Sequence, residues 1–276
     1  MARDFRELLE TKWDEGKFLC VGLDSDLEKI PEAARQEDTR TTIVAFNRAI
    51  IDATKDLVCA YKPNPAFYEA RGAEGFAALR ETIAYVLDVA PDVPVILDAK
   101  RADIISTNEQ YAISAFETLR ADAITVNPYL GGEPLKPFFD REDKGVIVLC
   151  HTSNPGAKEL QNLSVDGGEK LYKHVARSAR EKWNGKGNCC VMIGATYPEE
   201  LGEVRKIVGD MPILIAGIGA QDGNLEKTLH AGRDTRARGL IVNASRSIIF
   251  ASRGADFATA ARKKAEDLHR AIKHAL

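Results

Sequence analysis

Residues 95–104 read VILDAKRADI, an apolar stretch that runs straight into Asp98, Lys100 and Asp103. On an extended chain, residues two apart share a face. Asp98 and Lys100 are therefore expected to point one way, with Ile96 below them and Val95, Leu97 and Ala99 on the other side. Burying such charges costs on the order of several kcal/mol unless they are well paired. Chemistry gives a reason to bear that cost. A Lys ammonium is a compact charge on a flexible stem, able to stabilise a developing anion and then to hand over a proton. Carboxylates beside it favour its charged form. Lys62 ends a second apolar run, LVCAYKP at 57–63. If the two runs are neighbours, Lys62, Asp98, Lys100 and Asp103 form an alternating array. A purely structural ion-pair network is the competing reading.

A second group lies in IAGIGAQDG (215–223) and IVNASRSI (241–248). Gly217, Ile218 and Gly219 at a strand end would turn backbone N–H groups toward an anion. Alone, such a glycine pair reads as a tight turn. Arg246 closes the next apolar run, and its planar guanidinium suits a phosphate.

These residues need a frame. Eight short apolar runs recur along the chain: 18–24, 57–63, 93–100, 122–128, 145–152, 189–195, 212–219 and 239–245. Helical periodicity fills the intervals, at 39–56, 74–90, 107–121, 169–183, 198–208 and 254–276. Ile43, Phe46, Ile50 and Ile51 form one stripe, and Phe76, Leu79, Ile83 and Val86 another. Thr107 with Gln110 suggests a capping box. GEPLKPFFDRED, with two prolines, predicts at most a short helix. Residues 151–170 are too long and turn-rich for a tight connection and read as a lid, near 151–168.

Continuous apolar strands alternating with helices predict a parallel sheet covered on both faces. Eight of them fit a single α/β domain over 1–276, a (β/α)8 barrel preceded by an N-terminal helix. An open dinucleotide-binding sheet is disfavoured, because VGLDSD follows the first strand where GxGxxG would stand. In a barrel the working residues sit at the C-terminal strand ends. Those ends carry Asp24, Lys62, Asn64, Asp98, Lys100, Asp103, Asn127, Tyr129, Thr152, Ser153, Asn154, Gly217, Gly219, Gln221, Asn243, Ser245 and Arg246. Loops are polar everywhere, so convergence on one rim is the informative feature.

Composition narrows the classes. The formal net charge is −3, and no basic block with interleaved aromatics suggests a nucleic-acid partner. The N-terminal stretch lacks an apolar signal region, and no run approaches the ~18 apolar residues of a membrane span. A soluble, cytoplasmic protein is expected. Cys20, Cys59, Cys150, Cys189 and Cys190 lie in apolar runs, odd in number and without zinc spacing, so buried thiols are expected. His174, His230, His269 and His274 fall on helical patterns and read as surface residues, while His151 ends a strand. No metal motif and no Ser-His-Asp arrangement is present in the sequence.

DAKRADI (98–104) resembles the Asp-x-Lys-x-x-Asp-Ile pattern of orotidine 5'-phosphate decarboxylases. The likeness extends through VGLDSD, YKPNPAFYE, DAKRADIISTNEQYA, TVNPYLGG, HTSNPGAKE, AGIGAQDG and VNASR, and is greatest to the longer bacterial branch. Ala102 stands where that pattern carries Gly, a change compatible with negative φ. The resemblance implies a (β/α)8 homodimer with shared active sites. It also implies conversion of orotidine 5'-monophosphate to UMP and CO2, closing de novo pyrimidine synthesis, with no metal or organic cofactor. By motif, Asp24 would hold a ribose hydroxyl, and Lys62 would bridge ribose and the charge array. Asp98 would lie beside the departing carboxylate, with Lys100 as proton donor. Asp103 and Thr107 would reach the partner's site. Ser153 would read the pyrimidine edge, and Gly219, Gln221 and Arg246 would hold the phosphate. Metal-dependent phosphosugar enzymes such as 3-keto-gulonate 6-phosphate decarboxylase share the Asp-x-Lys-x-x-Asp pattern, but need a carboxylate where Lys62 stands. A non-catalytic nucleotide-binding module would not need the charge array.

Overall fold

The computed structural model describes residues 3–218 and 225–276. Every apolar run is a strand: β1 Leu19–Leu23, β2 Val58–Pro63, β3 Ile96–Arg101, β4 Ala123–Val126, β5 Gly145–His151, β6 Cys189–Gly194, β7 Ile213–Ala216 and β8 Leu240–Ala244. The sheet runs β2-β1-β8-β7-β6-β5-β4-β3, all parallel. Its two ends meet where Tyr61 bridges Val95 and donates its N–H to the Pro94 carbonyl at 3.0 Å. The result is a (β/α)8 barrel. β1, β2, β4, β6 and β8 are buried along their whole length, which is why they read as unbroken apolar runs.

The helices follow their stripes. Thr39–Thr54 starts at a capping box between Asp38 and Thr41 and buries Ile43, Phe46, Ile50 and Ile51. Gly72–Val89 buries Leu79, Ile83 and Val86. Phe76 departs from the expected stripe: it is 38% exposed, near the helix start beside Pro65 and Tyr111. The expected cap at Thr107 is also corrected. The helix after β3 begins at Ile105, continues from Ile113 as a π-helical turn, and holds Thr107 inside its first turn. Buried Asn108 fixes the entry instead. Its Oδ1 accepts the Asp103 N–H at 3.0 Å, and its Nδ2 donates to the carbonyls of Asp103 and Pro134 at 2.7 Å each. The remaining long helices are Leu171–Ser178, which runs into a π turn, Pro198–Val208, Leu225–Gly232 and Phe257–Ala275. No helix among the described residues is long and apolar enough to cross a membrane.

The N-terminal helix Phe5–Asp14 seals the end of the barrel opposite the charged rim. Phe5 lies against the start of β5, where a Cβ on Gly145 would come within 2.2 Å of the ring. Trp13 Nε1 donates to the Leu240 carbonyl at the start of β8, at 2.8 Å. All five cysteines are free and buried. Burial pushes the thiols of Cys20, Cys150 and Cys190 up to about 12, so they stay protonated and inert.

Arg205 ties the starts of β7 and β8. Its buried guanidinium donates to the carbonyls of Gly232, Gly209, Met211 and Gly239 at 2.6, 2.6, 2.7 and 2.8 Å. An ammonium lacks this fork geometry. Arg205→Lys is expected to lower unfolding stability by about 2–4 kcal/mol, read as a lower urea midpoint. An unchanged midpoint would show that the four carbonyls do not depend on the guanidinium.

Candidate active site

β3 does not keep strand alternation to its end. Leu97 pairs with Ile124, the ladder then slips, and Arg101 pairs with Val126. Within the slip Lys100 adopts a φ of +49°, in the left-handed region that non-glycine residues rarely occupy. The expected common face of Asp98 and Lys100 is thus reached through a kink rather than a regular strand. Lys100 Nζ donates to Asp98 Oδ1 at 2.7 Å, and Lys62 Nζ, from neighbouring β2, donates to Asp98 Oδ2 at 2.6 Å. Thr125 on β4 donates its hydroxyl to Asp98 Oδ1 at 3.0 Å and accepts the Lys100 N–H at 2.9 Å.

The charges are strongly coupled. Lys62 and Asp98 are buried, while the Lys100 side chain is 40% exposed toward the cavity. Burial pushes the Asp98 carboxyl up, but the ammoniums of Lys62 and Lys100 outweigh it and hold it well below the usual carboxylate range. Burial likewise pushes Lys62 down, and Asp98, then Asp24, more than restore it. Among the described residues of this one chain, the expected fourth member, Asp103, is not bonded to the array. The Asp103 carboxylate instead accepts the Ile104 N–H at 2.7 Å, and its own N–H goes to Asn108. The kink at Lys100 and the Asn108 anchor carry this segment outward. Ala102 is not among the residues of positive φ, so Ala replaces Gly there without backbone strain.

A cavity of about 600 Å³ opens at the rim, lined by Asp24, Lys62, Asp98 and Lys100 at one end and by Gly217, Ser245 and Arg246 at the other. Asp24 ends β1, and its Oδ1 is buried without a partner. The backbone on either side of it is pinned. Tyr68 donates its hydroxyl to the Leu23 carbonyl at 2.9 Å. Ser25 donates to Asn47 Oδ1 at 2.6 Å, and Asn47 Nδ2 donates to Tyr68 and Thr82 at 3.0 and 2.9 Å. Asn243, one of the rim residues, presents a second partnerless buried oxygen beside Gly22, where a Cβ would collide with Ser245 Oγ at 1.9 Å. Gly217 has φ +91°, and Arg246 is exposed at the cavity with no ion-pair partner among the described residues. Gly219 and Gln221, expected beside them, lie outside the described residues.

A second cavity of about 280 Å³ adjoins the first across Lys100, Met192 and Ala216, and is lined by His151, Thr152, Ser153 and Asn154. Ser153 packs on Gly194, where a Cβ would come within 2.7 Å of its backbone nitrogen. The base of the 151–168 segment is stitched to β5. His151 Nε2 pairs with Asn162 Oδ1 at 2.9 Å, and Gln161 Oε1 accepts the Thr152 N–H at 2.8 Å. His151 is fully buried between Tyr172 and Tyr197. His174, His230 and His274 are exposed as expected, whereas His269 is half-buried and its imidazole is lowered by that burial. Tyr129 does not line the charged cavity and is 80% exposed. Thr107 is half-buried in the helix that follows Asp103.

Sequence reasoning passed over Thr125, Asn47 and Tyr68. Each sits in an apolar strand or helix pattern, where a hydroxyl or amide carries no distinguishing spacing. Among the described residues no group of three or more His, Cys, Asp or Glu is placed to hold a metal ion. What the site offers is a guanidinium and a glycine turn at one end and two ammoniums on one carboxylate at the other. A phosphomonoester whose reacting end becomes anionic fits that polarity.

Comparisons with known proteins agree with this geometry. A family model described as orotidine 5'-phosphate decarboxylase / HUMPS family matches residues 17–263. The orotidine 5'-phosphate decarboxylase of Cellvibrio japonicus (strain Ueda107) is 49% identical over 269 residues, 97% of each chain. That of Azoarcus sp. (strain BH72) is 50% identical over 97% of this chain and 98% of its own. The solved structure of Leishmania donovani OMP decarboxylase superposes with a TM-score of 0.83 at 40% identity, covering 98% of this chain and 99% of that one. With the match spanning nearly the whole barrel and both ends of its charged cavity, the chain belongs to the orotidine 5'-phosphate decarboxylase / HUMPS family.

Proposed function

We propose that this protein decarboxylates orotidine 5'-monophosphate to UMP and CO2, the last step of de novo pyrimidine synthesis. The observation that carries this reading is the single Asp98 carboxylate binding two ammoniums at the foot of the cavity. In the reaction the bond between C6 and the carboxylate carbon breaks, CO2 leaves, and the electron pair stays on C6. That pair lies in the ring plane, orthogonal to the π system, so resonance helps little. A fixed ammonium supplies the stabilisation instead. Lys100 gives its proton to C6 and regains one from solvent. Asp98, itself fixed by Lys62, holds the Lys100 ammonium in place and lies beside the departing carboxylate. Asp24, with its partnerless oxygen, accepts a ribose hydroxyl. Arg246, Gly217 and, by the resemblance, Gly219 and Gln221 take the phosphate. Ser153 reads the pyrimidine edge from the smaller cavity, where the 151–168 segment serves as a lid. Phosphate binding remote from C6 contributes the energy for ordering that lid. The chain acts as one catalytic domain, in the cytoplasm.

No metal enters this reading. The end of β2 carries Lys62, and an ammonium there repels a divalent cation that a carboxylate would attract. Incubation with orotidine 5'-monophosphate in excess EDTA is expected to give UMP and CO2, followed as loss of the substrate's near-ultraviolet absorbance. Lys100→Ala is expected to lose turnover by about a thousandfold or more while still binding UMP. A metal-restorable loss, or near-normal turnover without Lys100, would refute the assignment.

The protein works as a homodimer with shared sites. Support comes from the segment that leaves the charge array: Asp103 and Thr107 flank the exposed apolar residues Ile104 and Ile105, with Ile113 also exposed on the same helix and its π turn. In a pair of subunits these would bring Asp103 and Thr107 to the partner's ribose and phosphate. Mixing inactive Lys100→Ala with inactive Asp103→Ala protein is then expected to restore activity in about a quarter of the sites. Mixtures that stay inactive after subunit exchange would contradict the shared site.

A further inference from the structure

Lys100 is held in an unfavourable backbone conformation, and one side chain outside the charge array is bonded to its backbone there. The slip between Leu97 and Arg101 takes Lys100 out of the regular ladder with β4. Thr125 Oγ1 accepts the Lys100 N–H there, at 2.9 Å. The same hydroxyl has one proton, which it donates to Asp98 Oδ1 at 3.0 Å. Lys100 Nζ returns to that same oxygen at 2.7 Å. Backbone and side chain of Lys100 are therefore tied into one closed ring through Thr125 and Asp98. Thr125 is fully buried on β4, so water cannot substitute for its hydroxyl.

We propose that Thr125 is the positioning residue for Lys100. Its hydroxyl stabilises the left-handed backbone that folds the side chain back on Asp98. It also fixes the rotation of the Asp98 carboxylate, so that one oxygen faces Lys62 and the other Lys100. Thr125 lines neither cavity, so it acts through Lys100 and Asp98. Without it, a buried N–H loses its acceptor and the lysine is free to leave the geometry in which its proton reaches the reacting carbon. The inference rests on the decarboxylase reading of the site and adds a residue to it.

The test compares Thr125→Val, Thr125→Ala and Thr125→Ser, measuring kcat and KM for orotidine 5'-monophosphate and the affinity for UMP. Ala and Ser differ only by the hydroxyl, so that contrast survives even if the Val variant does not fold. Loss of the hydroxyl is expected to lower kcat roughly 10–100-fold, with UMP affinity within about twofold of the unaltered protein. Ser is expected to recover most of the rate. In a Lys100→Ala background, adding Thr125→Val is expected to cost nothing further, because both changes act on one group. Equal rates for Ala and Ser, a parallel loss of UMP affinity, or an additive loss in the double variant would overturn the assignment. Absence of turnover in the unaltered protein would overturn the decarboxylase reading and this inference together.

Discussion

One carboxylate carries the site. Asp98 is buried, yet it stays ionised because each of its oxygens meets an ammonium. Lys62 could not stand in that position alone, since an unpaired buried charge costs about 3–5 kcal/mol. The pair Lys62–Asp98 is satisfied and fixed. Lys100, attached to the same carboxylate, keeps part of its side chain open to the cavity. The arrangement separates a closed charge pair from one open to the cavity while letting both share a single anion. Its electrostatic strength comes from being assembled before any substrate arrives.

The barrel exists, in functional terms, to bring the ends of four strands to that point. Lys62 comes from β2, Asp98 and Lys100 from β3, and Thr125 from β4. Parallel pairing places all three strand ends on one rim, and the closure between Tyr61 and Val95 sets β2 beside β3. β1 adds Asp24, fixed from behind by Ser25, Asn47, Tyr68 and Thr82. On the far side of the rim, β7 and β8 present Gly217 and Arg246, and Arg205 ties the opposite ends of those two strands together. The ends that face the ligand are open and polar. The ends that face the N-terminal helix are packed, and Trp13 and Arg205 hydrogen-bond carbonyls there.

Much of this was legible in the sequence, for a physical reason. Strands buried on both faces leave unbroken apolar runs, and all eight were visible as such. Charges at the ends of those runs marked the rim. What the sequence concealed were departures from regular geometry. Strand alternation predicts that Asp98 and Lys100 share a face, but not the left-handed turn at Lys100 that brings them together. The pattern Asp-x-Lys-x-x-Asp suggests a continuous array, yet within the chain the Asp103 carboxylate turns to the Ile104 N–H. Thr125 reads as an ordinary β-former and Tyr68 as a core aromatic, because a hydroxyl's partner is chosen in three dimensions. Thr107 looked like a helix cap and lies a turn too late.

In the proposed reaction Lys100, held by Asp98, exchanges a proton with C6 of the pyrimidine. The most direct measurement is hydrogen–deuterium exchange at C6 of UMP in D2O, followed by NMR with the unaltered protein and with Lys100→Ala. By microscopic reversibility, the group that protonates the carbanion also removes that proton. Enzyme-dependent exchange is expected in the unaltered protein and its loss in Lys100→Ala, with UMP still bound. Exchange at the same rate without Lys100 would contradict it.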